Sequence, residues 1–203
     1  MKWFYIFLRE AVRIYYNICY KIRLEGKENI PKTGGFILAS NHAYAGDPMW
    51  LSFGTPRMIR YLSKAELCDN KWYGIYFRAI GTVAVDRGSG GAEAVNECAE
   101  IIADGGILGI FPEGTRNHAE GFLRPKSGMS VIAKITKADI LPCAVIAPPN
   151  LKRGQTIIIK YGKLIPYEAL NIEEDSPRSL KAATRQVWDE IISLAGGENQ
   201  NEK

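Results

Sequence analysis

Gly105-Gly106-Ile107-Leu108-Gly109-Ile110-Phe111 carries no charge and lies between a helical pattern and a polar loop. The paired glycines end a helix predicted over 91–104, in which Ala94, Val95, Cys98, Ile101 and Ile102 share one face. Residues 107–111 (ILGIF) then read as a strand buried on both sides, the kind that a parallel sheet uses. The alternation continues in both directions. Residues 35–39 (GFILA) form a second buried strand, and Asp47-Pro48 opens a short helix through Phe53. Further strands are predicted over 57–62, 82–85, 140–146 and 156–161. Further helices are predicted over 71–80, 127–137 and 177–194, the last with Ser176 as N-cap and Pro177 in its first turn. The expected fold is α/β, a single domain with a mixed, largely parallel sheet flanked by helices. Its expected parts are an N-terminal amphipathic helix over 1–23, a domain over 24–195 and a polar tail over 196–203.

The chain has 203 residues, of which 46% are apolar and 24% charged, a globular balance that argues against a disordered or disulfide-stapled chain. The net charge of +4 is not spread evenly. Residues 1–27 hold six basic and two acidic side chains, whereas the remaining 176 hold 20 of each sign. That balance argues against nucleic acid as a partner. Seven of the 21 aromatic residues also lie in the first 20 positions. At about 100° per residue, Phe4, Phe7, Leu8, Ala11, Tyr15, Ile18 and Ile22 share one side, with Lys2, Arg9, Glu10, Arg13, Asn17 and Lys21 opposite. The segment is too charged to supply the ~20 apolar residues of a membrane span. Arg9, Glu10 and Arg13 also break any signal-peptide core. A basic, aromatic, amphipathic helix suits the membrane interface, with Lys and Arg meeting anionic lipid. Packing on its own domain is the competing reading, and the aromatic density favours the membrane.

Cys19, Cys68, Cys98 and Cys143 are widely spaced and form no CxxC pair, and the only two histidines lie 76 positions apart. Reduced, buried thiols are expected, and no metal site.

In open α/β sheets ligands gather at loops beyond strand ends. Three loops hold the unusual polar residues. In Ser40-Asn41-His42-Ala43-Tyr44-Ala45-Gly46-Asp47, small residues let the chain curl so that Asp47 meets one imidazole nitrogen of His42 and leaves the other as a general base. The plainer alternative has Asp47 only capping its helix. No G-x-S-x-G elbow or other protein nucleophile stands out, so a substrate hydroxyl attacks directly. Asp86-Arg87-Gly88-Ser89-Gly90-Gly91 suits an anion, through a guanidinium and a helix start, or is a plain turn with a surface ion pair. Phe111-Pro112-Glu113-Gly114-Thr115-Arg116 again puts Arg and a hydroxyl after a buried strand. There Glu113 either holds Arg116 or bonds a substrate hydroxyl.

Asn41-His42-x4-Asp47, Asp86-Arg87, Phe111-Pro112-Glu113-Gly114-Thr115-Arg116 and Ile140-Leu141-Pro142 resemble, in order, the four blocks of the glycerolipid acyltransferases. The likeness is greatest to the bacterial 1-acyl-sn-glycerol-3-phosphate acyltransferases and covers about residues 24–161, including Lys126-Ser127-Gly128. The resemblance implies that His42 is the general base and that Asp47 orients and charges it. It implies transfer of a fatty acyl chain from acyl-CoA or acyl-carrier protein to the sn-2 hydroxyl of 1-acyl-glycerol-3-phosphate, giving phosphatidic acid. It implies no acyl-enzyme, no metal and no cofactor besides the acyl donor. Arg87, Glu113, Gly114, Thr115 and Arg116 are then acceptor-binding positions, with Lys126 a further candidate. The partners are membrane lipids and the acyl donor, at the cytoplasmic face of the cell membrane in a peripheral or monotopic mode. Tyr44 and Asn117 stand where many members have Ser. That keeps open another lysolipid acceptor and, in a different class, a silent lipid-binding surface protein.

Overall fold

A computed structural model describes residues 2–64, 82–85, 92–117, 121–173 and 176–197. The helix expected over 71–80, Cys68, Asp86-Arg87 and the end of the polar tail lie outside the described residues. In chain order the elements are α1 (Lys2–Cys19), β1 (Lys21–Glu25), β2 (Phe36–Ser40), α2 (Asp47–Leu51), β3 (Ile59–Lys64), β4 (Val83–Val85), α3 (Ala92–Ala103), β5 (Ile107–Ile110), α4 (Gly128–Thr136), β6 (Ile140–Ile146), β7 (Thr156–Tyr161) and α5 (Pro177–Ala195). Among the described residues seven strands form one sheet in the order β1-β7-β6-β2-β5-β3-β4. Every neighbouring pair is parallel except β6 and β7. The mixed, largely parallel α/β sheet is therefore as expected.

β2 and β5 sit at the centre and are buried along their whole length. They pair in register from Phe36 opposite Ile107 to Ala39 opposite Ile110. Because successive side chains face opposite ways, each strand feeds two cores. Ile37, Ala39, Leu108 and Ile110 meet Cys98 and Ile101 of α3, Met129 and Ile132 of α4, and Val187 and Trp188 of α5. Phe36, Leu38 and Ile107 meet Trp50, Phe53, Tyr61 and Tyr161 on the other side, with Val12 and Tyr16 of α1 packed against them. Gly35 lets α3 pass close to the start of β2: a Cβ there would lie 2.0 Å from the Ile102 carbonyl oxygen. Ser176 caps α5 as read from sequence, its hydroxyl accepting the Ser179 N–H.

Two expectations for the N-terminus are corrected. The helix does not run to residue 23. It ends at Cys19, and Lys21–Glu25 become an edge strand, parallel to β7 from Lys21 opposite Thr156 onward. Arg9 does not belong to a solvated polar wedge. It is 7% exposed, and its guanidinium donates to the Thr55 carbonyl and to Glu10. The reason is geometric. Tyr5, Arg9, Val12, Tyr16 and Cys19 fall on the side that meets the second core. Trp3 (86% exposed), Phe7, Ile14, Tyr15 and Ile18 lie on the opposite side, in solvent. So α1 packs on its own domain and also keeps an outward apolar stripe. Among the described residues no helix is long and apolar enough to cross a membrane.

Gly35→Ala drives a methyl into the Ile102 carbonyl, and a backbone atom cannot rotate away. Urea unfolding is expected to show a loss of ~2 kcal/mol or more.

Candidate active site

Both candidate loops leave the sheet at the carboxyl ends of β2 and β5, which are adjacent and parallel. After β2, the Asn41 side chain takes over the ladder. Its amide donates to the Val145 carbonyl and accepts the Val145 N–H, each at 2.9 Å. His42 follows, and its N–H donates to Glu113 Oε1 at 2.8 Å. Its carbonyl accepts the Asn117 N–H at 2.7 Å. The loop after β5 is thus bonded to both sides of the His42 main chain.

The chain then curls through Ala43 to Gly46. A Cβ on Gly46 would lie 2.7 Å from the Trp50 ring, so position 46 has no room for a larger residue. The curl brings Asp47, fully buried, against His42, with Nδ1 2.8 Å from Oδ2. The same oxygen accepts the N–H groups of Ala43 and Tyr44, each at 2.8 Å. Asp47 is therefore more than the start of a helix: it closes the loop and faces the imidazole. An Nδ1 directed at a carboxylate carries the proton, so Nε2 holds the lone pair. The His42 side chain is 17% exposed, which leaves it reachable.

Ring stacking fixes the imidazole plane. His42 lies on Phe111 at 4.0 Å between centroids and 18° between planes. Phe111 lies in turn on Tyr61, at 5.6 Å and 8°. Gly109 makes room for that ring, since a Cβ there would come within 2.3 Å of it. The Tyr61 hydroxyl donates to the Pro48 carbonyl, tying the stack back to α2.

The loop after β5 differs from its sequence reading at one residue. Glu113 pairs neither with Arg116 nor with solvent. It is 3% exposed, with Oε1 on the His42 N–H and Oε2 on the Leu123 N–H at 3.1 Å. Burial pushes its pKa up from that of an ordinary glutamate, and those two N–H donors pull it back. Gly114, Thr115 and Arg116 are exposed on the stretch between the two contacts with His42. Gly114 has φ +70°, and the Lys126 ammonium lies 3.1 Å from where its Cβ would be. Lys126 also donates its N–H to the Pro112 carbonyl at 2.8 Å. The structure thus gathers His42, Asp47, Glu113, Gly114, Thr115, Arg116 and Lys126 at one end of the sheet. Arg87 lies outside the described residues, beyond β4, whose carboxyl end is on that same edge.

Sequence reasoning did not assign roles to Asn41, Phe111 or Tyr44. The Tyr44 hydroxyl donates to the Pro148 carbonyl, and its ring helps line an open cleft of about 480 Å³. Tyr16 of α1, Tyr20 just beyond it, Trp50 and Leu151 form other walls of it. An aromatic pattern can hint at such a cleft, but the pairing of α1 with residue 44 is set by the fold. Among the described residues no group of three or more His, Cys, Asp or Glu side chains is arranged to hold a metal ion.

A histidine backed by a buried carboxylate at the carboxyl edge of a parallel sheet is an arrangement suited to acid–base chemistry. The chain belongs to the acyltransferase family, whose profile matches residues 21–146 and so takes in every candidate residue above. Over 161 residues it is 32% identical to a 1-acyl-sn-glycerol-3-phosphate acyltransferase of Bacillus subtilis, covering 79% of this chain and 78% of that one. A protein of the same name from Borreliella burgdorferi is 33% identical, over 85% of this chain and 70% of the other. The crystal structure of the 1-acyl-sn-glycerophosphate acyltransferase PlsC from Thermotoga maritima matches with a TM-score of 0.74. It covers 98% of this chain and 83% of that one at 22% identity, a likeness of fold.

Asn41→Leu strips the Val145 N–H and carbonyl of their partners inside the protein. The expected cost is ~2–4 kcal/mol in chemical denaturation, from two buried main-chain groups left unpaired.

Proposed function

We propose that this acyltransferase moves a fatty acyl chain from acyl-CoA or acyl-carrier protein to the sn-2 hydroxyl of 1-acyl-glycerol-3-phosphate. The observation that carries the reading is the 2.8 Å contact of His42 Nδ1 with buried Asp47, beside a Glu-Gly-Thr-Arg loop bonded to His42 on both sides. The names of the relatives in B. subtilis and B. burgdorferi support the acceptor.

His42 Nε2 takes the proton of the acceptor hydroxyl as its oxygen attacks the thioester carbonyl carbon. The tetrahedral intermediate collapses, the carbon–sulfur bond breaks, and the imidazolium returns its proton to the departing thiolate. Asp47 stabilises the transient imidazolium and keeps Nδ1 protonated. Phosphatidic acid and free thiol leave, with no acyl-enzyme between them and no metal or further cofactor called upon. Arg87, Gly114, Thr115, Arg116 and Lys126 receive the acceptor phosphate, for which Arg forks, backbone N–H groups and an ammonium are suitable donors.

The outward stripe of α1 supports docking on a bilayer. Trp3, Phe7, Ile14, Tyr15 and Ile18 are exposed and share one side, in the most basic part of the chain. The enzyme then sits peripherally on the cytoplasmic face, where thioester donors are dissolved and the lysolipid is embedded. Tyr44, in place of the usual Ser, favours one variant of this reading, in which the acceptor is another lysolipid, because it lines the cleft two residues along the loop from His42.

His42→Ala is expected to cut thiol release from acyl-CoA with lysophosphatidate by ~10²–10⁴-fold while the protein stays folded. Full activity in that variant rules the mechanism out. Replacing Phe7, Ile14 and Ile18 together with Ser leaves the inward face of α1 intact and is expected to weaken sedimentation with anionic liposomes. Unchanged sedimentation means that another surface docks.

A further inference from the structure

We propose that Glu113 is a positioning residue for His42, whose carboxylate holds the main chain of the base and does not touch the acceptor. The inference deepens the proposed function, since it rests on His42 being the base. Three features carry it. First, the side chain is 3% exposed, so an incoming headgroup does not reach it, whereas Gly114, Thr115 and Arg116 next to it are exposed. Second, both carboxylate oxygens are already engaged, one by the His42 N–H at 2.8 Å and the other by the Leu123 N–H at 3.1 Å. Third, the main-chain amides of His42 and Leu123 are the leading groups that offset the cost of burying this acid.

The consequence follows from how His42 is held. Asp47 holds the ring by its edge, and Phe111 holds it by its face. Glu113 and Asn117 hold the main chain, one at the N–H and one at the carbonyl. Removing Glu113 frees the N–H side while the ring keeps both of its own contacts. Nε2 then tilts relative to the acceptor hydroxyl, and a small misplacement of a base is costly to turnover. Acceptor affinity resides in other groups and is left alone. Glu113 also ties Leu123 to the same point, so it clamps the two ends of the loop around the histidine. A sequence shows only an acid three residues before an arginine, for which an ion pair is the natural reading.

The test compares the wild type with Glu113→Ala and Glu113→Gln, the latter keeping an oxygen to accept the His42 N–H. Two quantities are read. One is the amide proton shift of His42 in a ¹H–¹⁵N spectrum. The other is kcat and acceptor KM with lysophosphatidate at saturating acyl-CoA. The proposal expects Glu113→Ala to move the His42 amide proton upfield and to lower kcat by up to ~10²-fold with acceptor KM unchanged. Glu113→Gln is expected to recover part of both losses. An unmoved His42 amide, or a KM raised tenfold or more with kcat retained, overturns it and returns Glu113 to acceptor binding. If Glu113→Ala does not fold, Glu113→Asp serves, because it draws the carboxylate back by one methylene: a kcat loss supports the proposal, and a KM rise alone overturns it. The amide shift needs no turnover. Wild-type inactivity on lysophosphatidate therefore counts against the proposed function and leaves the positioning claim to be decided by the spectrum.

Discussion

A buried carboxylate needs donors, and Asp47 has gathered three on one oxygen. Two are main-chain N–H groups from its own loop, and the third is the imidazole of His42. The arrangement does two things at once. It closes the turn after β2, because the oxygen cannot be satisfied unless residues 43 and 44 fold back over it. It also fixes which nitrogen of His42 faces outward. Gly46 is there because Trp50 fills the space below the turn. The remaining contacts lean on this one. Phe111 can stack on the imidazole only when the ring is in that plane, and the loop after β5 can bond His42 on both sides only when its main chain is so placed.

The central sheet was legible because its strands announce themselves. Residues 107–110 and 140–146 have no charge and are buried almost throughout, and they match the sequence reading closely. The closure of His42 on Asp47 was legible through the resemblance to the acyltransferases, since the spacing alone fits equally well an Asp that only caps its helix. β1 was not. Lys21-Ile22-Arg23-Leu24-Glu25 alternates polar and apolar as an edge strand does, yet its charges continue the basic side of a helix equally well. Only the distant partner β7 decides between the two. Arg9 and Glu113 were hidden for a related reason. A charge in sequence reads as solvated or ion-paired, and neither reading foresees a guanidinium on the Thr55 carbonyl or a carboxylate on two amides.

The two sides of α1 resolve what looked like a choice. Packing on the domain and facing a membrane were competing readings of one segment. The helix does the first with Tyr5, Arg9, Val12, Tyr16 and Cys19, and it leaves Trp3, Phe7, Ile14, Tyr15 and Ile18 free for the second. Tyr16 near its end and Tyr20 just beyond it also wall the cleft with Tyr44. On the proposed function, the inward side of α1 borders the loop that carries the base, and its outward side meets the bilayer.

The central claim is direct transfer: a base with no protein nucleophile. Mixing the enzyme with acyl-CoA alone and following thiol release, together with intact mass of the protein, tests it most directly. The account predicts no burst of thiol and no gain in mass until lysophosphatidate is added. A burst stoichiometric with enzyme, with the protein heavier by one acyl group, would contradict it.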